Sequence, residues 1–251
     1  MKYLVCSDLH ANLEALQSFE LYMGSLKIPR VLILGDFIGY NANPEEVIGI
    51  VRTWEFEGRL LGKISGNHDL ALTDESLLAR FNSNAKAAVL WSNQKLGENS
   101  KKWLSELPVN GTLNQKVAFC HGSFRDPNEY IFNEEVAISN YWSMPAEVDI
   151  LFFGHTHIPV IYEFDQENVL YTYYMNEEER FFLKPGRKYM INPGSIGQPR
   201  NGDNRLSFIS FDEDEKLVTF HKQEYCIWVT QQKIIAAGLP NLLARRLEEG
   251  F

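Results

Sequence analysis

The sequence predicts a mixed fold of the α/β (α+β) class, and three observations carry that prediction. Short apolar runs at 2–7, 30–34, 59–65, 116–120 and 149–153 have the length and composition of buried strands. The segments after the first two runs place apolar residues at helical spacing. From Pro159 onward the pattern changes to strand-length stretches separated by turn residues.

In chain order, KYLVCS (2–7) reads as a strand, and Leu13, Leu16 and Phe19 mark a helix that starts from Asn12. RVLIL (30–34) is a second strand, ending at Gly35-Asp36. Pro44-Glu45-Glu46 opens a helix. Proline lacks an N–H that the first turn would not use, and acids favour the positive end of the helix dipole. Residues 59–65, KVAFC (116–120) and DILFF (149–153) then lead into Gly66-Asn67, His121 and Gly154-His155. Residues 82–107 are expected to be helical, capped by Asn82 or Asn84, with Ala88, Trp91 and Leu96 on one face. Strands follow at 159–164, 167–174, 180–184, 187–192, 205–212 and 216–223, with Pro185-Gly186 and Asp212-Glu213-Asp214 as turns. Alternation puts Tyr171 and Tyr173 on one sheet face, and Glu177-Glu178-Glu179 reads as a solvated hairpin tip. Leu239, Leu242, Leu243 and Leu247 place a closing helix within 238–251. No linker, repeat or low-complexity stretch interrupts the chain, so residues 1–251 are read as one domain.

A net charge of −9 and a pI near 5.2 argue against broad binding to nucleic acid or to an anionic membrane. They do not exclude a phosphate substrate, because bound cations dominate their own surroundings. Cys6, Cys120 and Cys226 are odd in number and lack metal-type spacing, so reduced thiols are expected, with Cys6 and Cys120 as packing residues. The opening Met-Lys-Tyr-Leu-Val reaches Asp8 at once and leaves no room for a signal peptide, and no apolar run approaches the ~20 residues of a membrane span. A cytoplasmic protein is the expectation.

Five of the six histidines fall in four short blocks, Asp8-Leu9-His10, Gly66-Asn67-His68-Asp69, His121-Gly122 and Gly154-His155-Thr156-His157. A fifth block, Gly35-Asp36, adds a carboxylate that two metals could share. Each block follows a strand-like run, where open α/β sheets bind ligands. Asp8 and His10, two apart at a strand end, can turn to one metal, and His155 and His157 repeat that spacing. Carboxylate oxygens and neutral imidazoles suit two divalent ions such as Mn²⁺, Fe²⁺, Ni²⁺ or Zn²⁺. His221 belongs to no block and is expected to be a surface or packing residue.

The order D-x-H, G-D, G-N-H-D, H-G, G-H-T-H resembles the calcineurin-like metallophosphoesterase superfamily. The runs from Gly35 to Tyr40, from His121 to Pro127 and from Asn192 to Arg200 resemble a compact bacterial phosphodiesterase branch, some of whose members are labelled diadenosine tetraphosphatase-like. The resemblance implies a two-sheet β-sandwich flanked by helices, with a dimetal site at the C-terminal strand ends. It implies that Asp8, His10 and His157 hold one metal and that Asn67, His121 and His155 hold the other. It further implies that Asp36 bridges the two and that His68 protonates the leaving oxygen or steadies the charge on phosphate.

The protein phosphatases of the superfamily carry G-D-x-x-D-R-G, whereas this chain has Gly39, Tyr40 and Asn41 at the last three positions. The Asp that orients the catalytic histidine is therefore missing, and a backbone carbonyl is the expected substitute. The Arg that grips the phosphoryl group is missing too. Tyr40, Arg125 and Arg200 are the candidate substrate contacts. The implied reaction is hydrolysis of a phosphodiester or phosphoanhydride in a small molecule or nucleotide. Dinucleoside polyphosphate hydrolysis and phosphomonoesterase or protein phosphatase activity are the alternatives, and a silent scaffold or a homo-oligomer is compatible with the same fold.

Overall fold

A computed structural model describes residues 1–251. The first strands are β1 (Lys2–Cys6), β2 (Val31–Ile33) and β3 (Leu60–Lys63), which run parallel. They are joined by α1 (Leu13–Leu26) and α2 (Pro44–Phe56). Asn12 starts α1 by accepting the Ala15 N–H, and Pro44 stands in the first turn of α2 with Glu45 and Glu46, as the sequence predicts. Four short helices follow: α3 (Asn67–Leu70), α4 (Glu75–Ala79), α5 (Ser83–Lys95) and α6 (Glu98–Ser105). The predicted helical stretch 82–107 is thus two helices. Asn82 caps the first, but Leu96 turns extended and buries its side chain. Glu45 of α2 takes the Gly97 N–H and the Ser100 hydroxyl, which starts the second helix in a new direction.

The second half contains β4 (Asn110–Thr112), β5 (Val117–Cys120), α7 (Glu134–Tyr141), β6 (Ile150–Phe152), β7 (Val160–Phe164), β8 (Leu170–Tyr174), β9 (Arg180–Phe182), β10 (Lys188–Asn192), β11 (Leu206–Asp212) and β12 (Leu217–Gln223). It closes with α8 (Ile227–Ala236) and α9 (Asn241–Glu249). The strands form two six-stranded sheets, ordered β3-β2-β1-β11-β12-β9 and β4-β5-β6-β10-β7-β8. β5, β6 and β10 are parallel, so each sheet contains three adjacent parallel strands, and the histidine and aspartate blocks follow β1, β2, β3, β5 and β6. β8 and β9 lie in different sheets, so Glu177-Glu178-Glu179 is an exposed crossing between sheets rather than a hairpin tip.

Side-chain alternation assigns each strand residue to a layer. Tyr3 and Val5 of β1 face the other sheet and join Leu32, Phe152, Ile191 and Phe211 in the central core. Leu4 and Cys6 face the helices and meet Phe19, Val51 and Trp54. On the far side Ala118, Cys120 and Leu151 meet Ala137 of α7. The result is the two-sheet sandwich flanked by helices, with Cys6 and Cys120 as buried thiols. His221 is also buried, stacked on Phe208 and bonded to Ser210, a packing residue as expected. No helix is long and apolar enough to cross a membrane.

Candidate metal centre

The strand ends turn sharply where the polar blocks begin. Asp8, His10, Asp36, His155 and His157 all adopt positive φ, between 47° and 65°. Non-glycine residues rarely hold that conformation unless surrounding bonds over-determine it, and such strain concentrates at functional sites. Here the bonds are the amides of Asp8 and His10, which donate to the carbonyls of Gly35 and Asp36 and lock the first two loops together.

The turns bring seven side chains to one buried point. Asp8, His10 and His157 form one group of facing ligand atoms, Asp36, His121 and His155 a second, and His10 and Asp36 form a third with His68. Asn67 Oδ1 lies 3.1 Å from His121 Nε2. Each aspartate is anchored by one oxygen only: Asp8 Oδ2 accepts the His155 N–H at 3.2 Å and Asp36 Oδ1 accepts the His68 N–H at 2.9 Å. The remaining oxygens, Asp8 Oδ1 and Asp36 Oδ2, are buried and have no donor. They face imidazole nitrogens instead, with His157 Nε2 3.2 Å from Asp8 Oδ1 and His121 Nε2 3.4 Å from Asp36 Oδ2. His10 Nε2 lies 3.7 Å from the first oxygen and 3.5 Å from the second.

The imidazoles are fixed from behind. His10 Nδ1–H points to the Ile38 carbonyl at 3.0 Å, His121 Nδ1–H to the Leu34 carbonyl at 2.7 Å, and His157 Nδ1–H to the Gln198 carbonyl. Each such bond sets the tautomer and turns the Nε2 lone pair inward, as in known metal centres. His155 is reversed: Nε2 meets the Asn128 carbonyl at 3.2 Å, which leaves Nδ1 for the centre. A buried acceptor without a donor is costly. Two such oxygens beside inward lone pairs are what a pair of divalent cations would satisfy, so these residues fit the dimetal site that the resemblance implies.

The buried imidazoles titrate in two different ways. Burial pushes the pKa of His10, His155 and His157 below the ordinary imidazole range. Burial alone would lower His121 too, but the Asp36 and Asp8 carboxylates and the Leu34 carbonyl together outweigh it and lift the ring to about 9, so a proton on Nε2 faces Asp36 where a bound cation would displace it.

His68 lies at the edge of the centre, its pKa pushed down to about 4 by burial. No backbone carbonyl orients it, contrary to the expectation, because Nδ1 is buried without a partner. The ring is held by packing, with Tyr40, Phe81 and His10 at centroid distances of 4.6, 4.8 and 4.9 Å. Gly39, at φ +92°, closes against the Nδ1 edge. Beside His68 opens a cavity of about 310 Å³, lined in part by Asn67, His155, Tyr40, Phe81 and Tyr130. A larger groove of about 690 Å³, lined by Lys116, Asp149 and Arg187 among others, lies at the opposite strand ends and contains none of the histidine blocks.

Of the substrate candidates, Tyr40 and Arg200 reach this region, with Arg200 Nη2 donating to Tyr40 Oη at 2.9 Å. Arg125 is drawn away into an exposed ion pair with Glu129 at 3.1 Å, which removes the reason to place it on substrate. Sequence reasoning missed Asp69, whose carboxylate accepts the N–H groups of Phe37, Ile38 and Gly66 and ties the Asp36 loop to the Asn67 loop. Its place directly after His68 was the available signal. Tyr130, whose ring lies 3.8 Å from that of His155, and Arg246, 5.9 Å from the Tyr40 ring, carried no local signal at all.

Similarity to known proteins agrees with this geometry. A family model described as a calcineurin-like phosphoesterase superfamily domain matches residues 1–216. The chain is 33% identical to an uncharacterized protein of Methanocaldococcus jannaschii over 249 residues, covering 97% of this chain and 96% of that one. A metallophosphoesterase crystal structure from Sphaerobacter thermophilus superposes with a TM-score of 0.86 at 34% identity, covering 100% of both chains. A hypothetical protein of Pyrococcus horikoshii shares the fold with a TM-score of 0.79 at 20% identity, over 100% of this chain and 98% of that one. With an αββα sandwich, a buried Asp/His cluster at its strand ends and a match along most of its length, the chain belongs to the calcineurin-like phosphoesterase superfamily.

Proposed function

We propose that the protein hydrolyses a phosphodiester or phosphoanhydride bond in a small-molecule or nucleotide substrate. Asp8, His10 and His157 would hold one divalent cation, Asn67, His121 and His155 the other, and Asp36 would serve both. When bound, two such cations polarise a phosphoryl oxygen and lower the pKa of an attacking water. The observation that carries this reading is the pair of buried, donorless oxygens, Asp8 Oδ1 and Asp36 Oδ2, enclosed by inward-facing imidazoles.

The residues of the chain have separate tasks. The carbonyls of Ile38, Leu34 and Gln198 hold three imidazoles in the tautomer that leaves Nε2 free. His68 adjoins Asn67 in sequence and borders the cavity, where its neutral ring can donate a hydrogen bond to a phosphoryl oxygen, and its imidazolium, once formed beside a bound phosphate, a proton to the leaving oxygen. Tyr40, Phe81 and Tyr130 line that cavity and would offer apolar area to the substrate's second group. The test is metal analysis together with hydrolysis of bis(p-nitrophenyl) phosphate in added Mn²⁺. About two ions per chain and chelator-sensitive turnover are expected; full activity after thorough chelation would overturn the reading.

A further inference from the structure

The groove of about 690 Å³ opens at the end of the sandwich opposite the metal centre, where β5, β6 and β10 begin and β11 ends. Its inner wall is Val117, Ile150, Leu183, Tyr189 and Phe211, all members of the central core between the sheets. The Leu183 N–H donates to the Lys216 carbonyl at 2.8 Å, which ties the crossing from β9 to β10 against the β11–β12 turn. That bond brings Lys184 and Lys216 to one stretch of the rim. A concavity of this size, mostly apolar with a few placed polar groups, has the make-up of a small-molecule site.

The rim carries more positive charge than its own ion pairs use. Lys116 meets Asp149 at 3.2 Å, and Arg187 meets Glu163 at 2.9 Å. The fully buried Glu163 carboxylate also accepts the hydroxyls of Tyr173 and Tyr189, each at 3.0 Å. Lys184 lies 3.6 Å from that already bonded carboxylate. Lys216 forms no ion pair, because Asp214, the acid close to it, is held by the Met1 amine at 2.7 Å. Glu213 accepts the Asn114 side-chain amide at 3.4 Å. Two ammonium groups at the mouth of an apolar groove, in a chain of net charge −9, select an anion. The apolar wall requires that this anion carry a hydrocarbon or aromatic body. The acids on the same rim oppose a polyanion, so a single charge fits best.

We propose that this groove is a second binding site, which takes a small amphiphilic monoanion with its apolar body against Val117, Ile150 and Phe211 and its carboxylate at Lys184 and Lys216. The site is separate from the metal centre and does not depend on the phosphoesterase reading. The test is calorimetric titration of the Mn²⁺-loaded protein with octanoate, decanoate and decyltrimethylammonium. A single saturable decanoate site is expected, about tenfold tighter than for octanoate, the scale of two further buried methylenes. The cation of the same chain length should not bind. Lys184→Gln combined with Lys216→Gln should weaken decanoate about tenfold. Both lysines are exposed, so the change spares the fold. Tyr130→Ala, in the cavity beside His68, should leave decanoate affinity unchanged. Absence of saturable binding, equal affinity for the two chain lengths, or equal binding of the cation would end the proposal. So would affinity that depends on Tyr130 or on the metal and not on the two lysines, since that would move the ligand to the metal centre.

Discussion

A Cβ atom built on Gly39 would fall 2.2 Å from His68 Nδ1, well inside any tolerable contact. The position that carries aspartate in the related protein phosphatases is therefore filled here by the histidine ring itself. Gly39→Ala should push that ring out of place and also strain a backbone at φ +92°. Turnover should fall by about 10²-fold, the scale of a misplacement of about 1 Å, with metal content unchanged by mass spectrometry. Wild-type turnover in this variant would show that His68 does not need its present position.

Removing the ring altogether should cost more. His68→Ala is expected to slow kcat by roughly 10²–10⁴-fold, the range of positioned proton transfer. The loss should shrink for substrates with good leaving groups, which need little protonation. A variant that lost its metals and unfolded would instead assign His68 a structural role.

Asp36→Asn should act on metal content first. Its Oδ1 can still accept the His68 N–H, so the loop keeps its anchor, while the negative charge facing His10 and His121 is gone. Bound metal should drop below two ions per chain and activity should fall with it. Retention of both ions at wild-type affinity would refute a shared role for Asp36.

Stability should respond to pH through His221, far from the metal centre in sequence. Burial lowers its pKa to about 4, with Glu178 opposing weakly from 3.9 Å. The unfolded chain, with an ordinary histidine pKa near 6.5, binds the proton more readily. Stability from this residue is therefore full above about pH 6.5 and is lost as pH falls towards 4, by up to about 3 kcal/mol. In metal-free protein, the melting-temperature gap between wild type and His221→Gln should shift in favour of the variant between pH 7 and 4.5. A gap independent of pH would remove His221 from the acid sensitivity.

The histidine and aspartate blocks were legible because metal ligands at strand ends leave a local signature, an apolar run followed by a small or polar residue. The helices α7 and α8 left no such trace. Ile138 within α7 and Trp142 at its end are exposed, as are Trp228 and Ile235 within α8, so apolar residues also occur on the solvent face and the 3.6-residue period is blurred. The break at Leu96-Gly97 had a local signal in Gly97 itself, but the new direction of the second helix is set by Glu45, which is distant in sequence. Tyr130 and Arg246 meet the site through tertiary packing alone, whereas Asp69 stands in the Gly66–Asp69 block and its structural role depends on backbone N–H groups that no sequence pattern displays.

The polar blocks divide between the sheets. Asp8, His10, Asp36 and Asn67 follow strands of one sheet, and His121, His155 and His157 follow strands of the other. Cations held by the proposed ligands would therefore bridge the open edge of the sandwich like a clasp. Ligand binding to the folded state alone contributes about 4 kcal/mol when the ligand stands a thousandfold above its dissociation constant. Metal loading would accordingly hold the two sheets together as well as prepare the chemistry, and starvation for metal would loosen the sandwich from its catalytic end inward.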